Sequence, residues 1–248
     1  MLNIYRSIRN LSVVSVLAVS ANAVVIQNFD ANLGNNITGP GTGVVNASYV
    51  AANGNNPCSN NTQMFPPLTF SVGSSASACH SSWATPSGGA SNPTSNFLLV
   101  NGNSVGSVPQ SVFTQNFTAT SALGGTFSGN FAGLFINGPT SLTFQVTKGA
   151  TVLGSTSFVT NLAGGPSIPG TPAPWVNQGG TFTGVGTNIG DILTVEILLT
   201  NFGFGGNDFG VDTLDIGFNT VPGVPEPATF LLCGSALVGL AFIRRKKA

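Results

Sequence analysis

The chain carries few groups able to do chemistry. Three aspartates, Asp208, Asp212 and Asp215, follow a glycine-rich stretch at 201–207. Carboxylates together with loop carbonyls make the all-oxygen set that a hard cation such as calcium takes, although the spacing is not that of an EF-hand. Trp83 and Trp175 could each present a ring face to the C–H face of a sugar while neighbouring Asn and Gln side chains bond its hydroxyls. A place in the core is the other reading of both, and for Trp175 it is the favoured one. His80 is the single histidine and neighbours Cys79 and Ser81. A Ser/His pair suggests nucleophilic catalysis, but no acidic residue lies nearby in sequence to orient the ring. Glycoside hydrolysis needs two carboxyls at a set separation. Asp191 and Glu196 are the nominees, and Glu196 falls in the outward row of a regular strand. The sequence has no phosphate loop, dinucleotide fingerprint or metal-ligand cluster, and no residue is assigned a catalytic role.

These groups must be positioned by strands. Leu142, Phe144 and Val146 alternate with Thr143, Gln145 and Thr147. A turn at Lys148-Gly149-Ala150 then leads into 152–159, which predicts a hairpin with one wet face. Leu193, Val195, Ile197 and Leu199 make an inward row opposite Thr194 and Glu196. Phe97 to Val100 is a continuous apolar run, Phe113 and Phe117 share a face, and Phe127, Phe131 and Phe135 alternate with small residues. Strands are also predicted at 24–26, 68–72, 181–185 and 209–218, with a proline-laden exposed loop from Gly164 through Pro174. The region from Val24 to Asn96 reads as loop-heavy. Helical periodicity is missing before residue 223, so the expected fold is an all-β antiparallel sandwich of the jelly-roll type.

The two ends differ from this body. Arg6 and Arg9, an apolar stretch from Leu11 to Ser20, and Ala21-Asn22-Ala23 have the order of a secretory signal peptide with a small-x-small cleavage site, so the mature chain should begin at Val24. At the other end Pro225, Glu226, Pro227 and Ala228 precede an uncharged apolar run to Ile243 and a basic cluster of Arg244, Arg245, Lys246 and Lys247. The run is somewhat short of the roughly 20 apolar residues that span about 30 Å of hydrocarbon, a gap that bilayer thinning or snorkelling arginines can close. The cations stop transfer, leaving the body outside and the C-terminus in the cytoplasm. The expected organisation is therefore a signal peptide at 1–23, an exported sandwich at 24–222 and a terminal segment at 223–248 whose transmembrane helix spans 228–243.

That terminal segment resembles the PEP-CTERM sorting signal of Gram-negative, exopolysaccharide-making bacteria. The resemblance implies passage through the Sec machinery, a membrane anchor before processing, and cleavage near Pro225–Pro227 by an exosortase. The mature protein then goes to the cell surface or matrix. A plain C-terminal anchor is the alternative reading of the same residues.

With both ends set aside, Lys148 is the one cation left against Asp30, Asp191, Glu196, Asp208, Asp212 and Asp215, so the body carries 1 − 6 = −5. A domain so poor in Lys and Arg has no footprint for nucleic acid. It holds 16 of the chain's 18 phenylalanines, which argues for a packed core, not for disorder. Cys58 and Cys79 lie in the oxidising compartment and should form a disulfide, whereas Cys233 sits in the apolar tail.

A second resemblance follows from Leu98-Leu99-Val100-Asn101-Gly102, from a tryptophan just before a Thr-Phe-Thr strand, and from 206–212, which reads Gly-Asn-Asp-Phe-Gly-Val-Asp. These segments resemble the galactose-binding-like jelly-roll modules, a group that includes many carbohydrate-binding modules. The resemblance implies that a structural calcium would join Asp30, near the first strand, to Asp212 on the last. The chain has Asp212-Thr213 where that group often has two adjacent aspartates. The expected function is an exported, non-enzymatic surface or matrix protein associating with extracellular polysaccharide. A secreted polysaccharide hydrolase and a self-associating adhesin are the alternatives.

Overall fold

A computed structural model of the chain describes residues 22–30, 43–53, 56–84, 86, 90, 95–103, 109–135, 140–160, 174–201 and 207–220. The sorting segment (Pro225, Glu226, Pro227, Ala228 and the helix expected after them), the stop-transfer cluster Arg244 to Lys247 and Ala21 of the signal site lie outside these residues. So does most of the 164–174 loop. Among the described residues there is no helix long and apolar enough to cross a membrane. The chain divides into Ala21–Asn219, which holds every strand, and a second unit formed by the two ends.

Among the described residues twelve strands run in order: β1 Asn22–Gln27, β2 Gly43–Val45, β3 Val50–Ala51, β4 Thr69–Gly73, β5 Phe97–Asn101, β6 Gln110–Thr118, β7 Gly125–Gly133, β8 Ser141–Lys148, β9 Thr151–Val159, β10 Val176–Phe182, β11 Ile192–Leu199 and β12 Phe209–Phe218. They form two sheets. One has the order β10-β7-β12-β5-β4-β3, with β1 also paired to β12, and the other has the order β2-β6-β11-β8-β9. The fold is an all-β sandwich, as the alternation predicts. All pairings are antiparallel except β3 with β4, which runs parallel from Val50 opposite Thr69. The β8–β9 turn places Gly149 at φ 56°, a conformation that glycine adopts without a Cβ clash.

The principal core fills the space between the sheets. Leu142, Phe144 and Val146 meet Phe127, Phe131 and Val211, all buried. Phe144 packs edge-on to Phe127 and Phe131, with ring centroids 5.0 and 5.5 Å apart, the offset geometry that aromatic quadrupoles favour. Every residue of β5 is buried. Leu98 and Val100 face this core, while Phe97 and Leu99 face a second apolar cluster with Met64, Ala76, Cys79, Trp83 and Leu134. That cluster seals loops 52–68 and 74–84 over the outer side of the seven-stranded sheet, and a disulfide joins Cys58 to Cys79 within it.

Three sequence expectations need correction. β10 starts at Val176, five residues before the predicted Thr181, and ends at Phe182, three before the predicted 185. Its inward Gly180 leaves the room that Phe127 fills, since a Cβ there would stand 3.2 Å from the ring, so no inward hydrophobe marks this part of the strand. β2 and β3 were not expected, being only three and two residues long. β1 begins at Asn22, so Asn22 and Ala23 of the expected signal-cleavage site occupy ladder positions opposite Phe218 and Gly217.

Candidate ligand-binding face

The last strand organises the site. Along one edge, β12 pairs with β7 for most of its length. Along the other it pairs with β5 through Phe209–Val211 and with β1 from Leu214 onward. Asp212 and Thr213 sit at this change of partner, where both the β7 and β1 ladders shift register. Such bulges re-aim side chains. Thr213 has φ 47° and Phe29, next to Asp30, has φ 58°. Left-handed backbone at bulky non-glycine residues is costly and is tolerated where the surroundings over-determine it.

Asp212 is wholly buried. Its carboxylate accepts hydrogen bonds from the Ala90 N–H at 2.6 Å and the Thr213 N–H at 2.7 Å. Burial pushes its pKa up, the two backbone donors pull it back, and the charge of Asp30 adds to the rise. Asp30 is exposed; its carboxylate accepts from Asn28 Nδ2 at 3.0 Å, and its carbonyl accepts from Asn96 Nδ2 at 3.2 Å. The structure thus brings Asp30 and Asp212 within electrostatic reach of each other. No lysine or arginine compensates Asp212 among the described residues, because Lys148 is paired with Asp191 at 2.6 Å. A buried carboxylate without a partner charge is expensive. A hard cation shared by Asp30 and Asp212 would compensate it, and these two carboxylates supply part of the oxygen set that calcium takes. Asp215, the third aspartate, lies two ladder positions on opposite Ser128, its pKa also raised by burial. The described residues contain no group of three acidic, His or Cys side chains poised on one metal.

The register extends this site into a row. Asp212 stands opposite Asn130, and Asn130 stands opposite Asn177 on β10. Asn177 Nδ2 donates to Asn130 Oδ1 at 3.2 Å. The next rungs hold Ser128 beside Gly179 and Thr126 beside Thr181. All of these project from the outer face of the sheet, since the alternate residues Phe127, Phe131 and Phe182 enter the core. Trp175 closes the row at the start of β10. It is half-buried, stands edge-on to Phe97 at 5.2 Å and packs on Ala84 and Ala132.

Trp83 has a different fate from the sugar platform its sequence allowed. It is 0% exposed, so neither ring face is available for stacking. Its Nε1–H donates to Asp208 Oδ2 at 2.9 Å, and the Gly102 N–H donates to Asp208 Oδ1 at 3.2 Å. Burial raises the Asp208 carboxyl to about 6 despite these two donors. The sequence offered Asp208 as a cation ligand beside a glycine-rich stretch; it is a buried staple joining loop 74–84 to the head of β12. The signal was the Asn207-Asp208 pair before a strand that begins with Phe, which gives no hint of a partner 125 residues away.

His80 stacks on Trp83 at 5.0 Å and 16° and packs against Phe65 at 4.1 Å. Its Nδ1 accepts from the Ser82 N–H, and burial lowers its pKa. The ring is held neutral inside an aromatic stack. Asp191 is tied to Lys148, which holds its pKa low. Glu196 accepts from Gln145 Nε2 at 2.8 Å on the outer face of the five-stranded sheet. The two carboxyls nominated for hydrolysis therefore stand apart, Asp191 in a turn and Glu196 on that sheet's outer face, while Asp208 is buried beneath a loop.

The fold and site define a two-sheet β-sandwich that presents a row of amide, hydroxyl and carboxylate groups from one outer face. Residues 223–246 match the PEP-CTERM protein-sorting motif, so the sandwich is joined to an exosortase sorting signal that implies export and a C-terminal membrane anchor before processing. No curated protein matches the sequence. Among solved structures, the Stig cyclase Fisc from Fischerella sp. TAU is 15% identical, with 82% of this chain and 100% of that one covered and a TM-score of 0.45. The carbohydrate-binding module TmCBM61, in complex with beta-1,4-galactotriose, is 12% identical over 78% of this chain and 99% of its own, with a TM-score of 0.38. The MgGH51 α-L-arabinofuranosidase is 12% identical; the match covers 78% of this chain but 27% of the enzyme, with a TM-score of 0.39. At such identities none of these proteins lends its activity to the chain.

Proposed function

We propose that the sandwich is a non-enzymatic surface or matrix protein that binds an uncharged extracellular polysaccharide. The observation that carries this reading is the row of Asn177, Asn130, Ser128, Thr126 and Thr181, ending at the half-buried Trp175 on the outer face of the seven-stranded sheet. Amide and hydroxyl groups exchange hydrogen bonds with sugar hydroxyls, and an indole edge supplies apolar area beside them. The net charge of −5, with the single lysine already paired, disfavours polyanionic polymers. The separation of Asp191, Glu196 and Asp208 supports binding over hydrolysis.

A calcium ion held between Asp30 and Asp212 completes the reading. When bound it supplies positive charge that offsets the buried carboxylate; Asp30 and Asp212, with loop carbonyls, are the residues that hold it. The test is a glycan array probed with the full chain, with and without a calcium chelator. Retention on neutral polymers, weakened by Trp175→Ala, is expected. Absence of binding to every polymer, or preference for uronate-rich polymers, overturns the reading.

A further inference from the structure

Both chain ends leave the sandwich at the same place. Asn22 pairs with Phe218, so the start of β1 and the end of β12 lie side by side. Phe218 also pairs with Gly125, and Phe182 with Gly125, which puts the head of β7 and the tail of β10 at this end. Loops 119–124 and 183–191 close the end. They are tied by the Asn219 N–H to the Gly124 carbonyl, the Ala119 N–H to the Asp191 carbonyl and the Gly190 N–H to the Ala119 carbonyl.

This end is apolar where a free surface should be polar. Val185 is 80% exposed and Ile189 74%, and Leu123, Ile192 and Val24 are exposed beside them. An apolar cleft of about 340 Å³ opens between β1 and β6 at the same end, lined by Val24, Phe117, Ile192 and Phe218 among others. The loops at 119–124 and 183–191 contain one charged residue, Asp191, and Lys148 neutralises it at 2.6 Å while also donating to the Gly186 carbonyl. Trp175 and the head of β12 stand at the opposite end of the strands.

Only 221–227 separate the last described residue from the start of the expected membrane helix at 228. Seven residues reach at most about 25 Å. While the sorting signal is in the bilayer, this end of the sandwich is therefore confined to the membrane surface. We infer that the tip formed by Leu123, Val185, Ile189 and Ile192 is a lipid-docking surface, which seats the sandwich on the bilayer with its amide row facing away. The inference rests on the reading of 223–246 as a membrane-inserted sorting signal. Exposed aliphatic side chains on tight turns, with the local charge already paired, can enter the headgroup boundary with little desolvation cost.

The test uses the full chain reconstituted in phosphatidylcholine nanodiscs, with a tryptophan reporter and brominated lipid as quencher. Ile189→Trp should be quenched strongly and Val50→Trp, on β3, should not, each read against the unsubstituted chain. In a Leu123→Ser/Val185→Ser background the Ile189→Trp quenching should fall at least about twofold, because apolar insertion and not the tether sets the depth. All these positions are exposed turns or edges, and far-ultraviolet dichroism checks the fold of each variant. Incorporation with equal quenching at both reporters, or quenching that the serine pair leaves unchanged, overturns this inference alone. Failure of the chain to incorporate at all overturns the sorting reading and this inference with it.

Discussion

Asp208 gives the sharpest test of the energetics. Its carboxyl is buried, accepts from Trp83 and Gly102, and titrates at about 6 in place of 3.8. The folded state therefore holds its proton more tightly than the unfolded state does. The stability linked to that proton is fully present below pH 3.8 and is lost as pH rises through 6. A difference of about two units at ~1.36 kcal/mol each gives roughly 3 kcal/mol. Asp212 and Asp215, also raised by burial, act in the same direction. Asp191, lowered by its exposed bond to Lys148, acts weakly in the other. Denaturant unfolding from pH 7.5 to 4.5, with m held constant, should show stability climbing toward acid by about 2 kcal/mol from Asp208, the rest of the roughly 3 kcal/mol appearing below that window. Asp208→Asn supplies the control. It removes the titration but offers one acceptor oxygen where the carboxylate offers two, so Trp83 or Gly102 loses its partner at a cost of about 1–3 kcal/mol. The variant should be less stable than the parent at pH 4.5, converge with it near pH 7.5, and show a flatter profile. A parent profile that is flat or falls toward acid, or a variant with the parent's slope, refutes the reasoning.

Other predictions are independent. Trp83→Phe keeps the ring but deletes the donor to Asp208; it should cost about 1–2 kcal/mol of stability and leave glycan retention unchanged on the array. Trp175→Ala should weaken retention about tenfold, about 1.4 kcal/mol, with a small change in unfolding midpoint. Replacing Cys58 and Cys79 together by Ala should lower stability by about 3 kcal/mol in the same denaturant assay, since the pair closes a loop of sequence separation 21. Asp212→Asn should abolish any rise in melting temperature that calcium gives the parent, measured by calorimetry with and without chelator.

Alternation made β8 and β11 readable. In β8 and β11 one face is core and the other solvent, so Leu142, Phe144 and Val146 and the row Leu193 to Leu199 announce their sides. β5 is buried on both faces and therefore shows no period, only a run of apolar residues. That run gave the strand but hid the second apolar cluster it faces. The placement of Trp83 was illegible because its neighbours in sequence are polar, while its partners, Asp208 and the His80 stack, are set by the loop's closure over the sheet. Asp30 and Asp212 were paired by resemblance alone; nothing in their spacing of 182 positions places β1 where β5 leaves β12.

The central claim is that both ends are processed and the sandwich functions outside the cell. Mass spectrometry of the termini of the protein recovered from the cell surface and culture medium tests it most directly. The account predicts an N-terminus at Val24, a C-terminus within Pro225–Pro227 and no peptide from 228–248. Recovery of the uncut chain from the cytosol, with residues 1–23 and 228–248 both present, would contradict it.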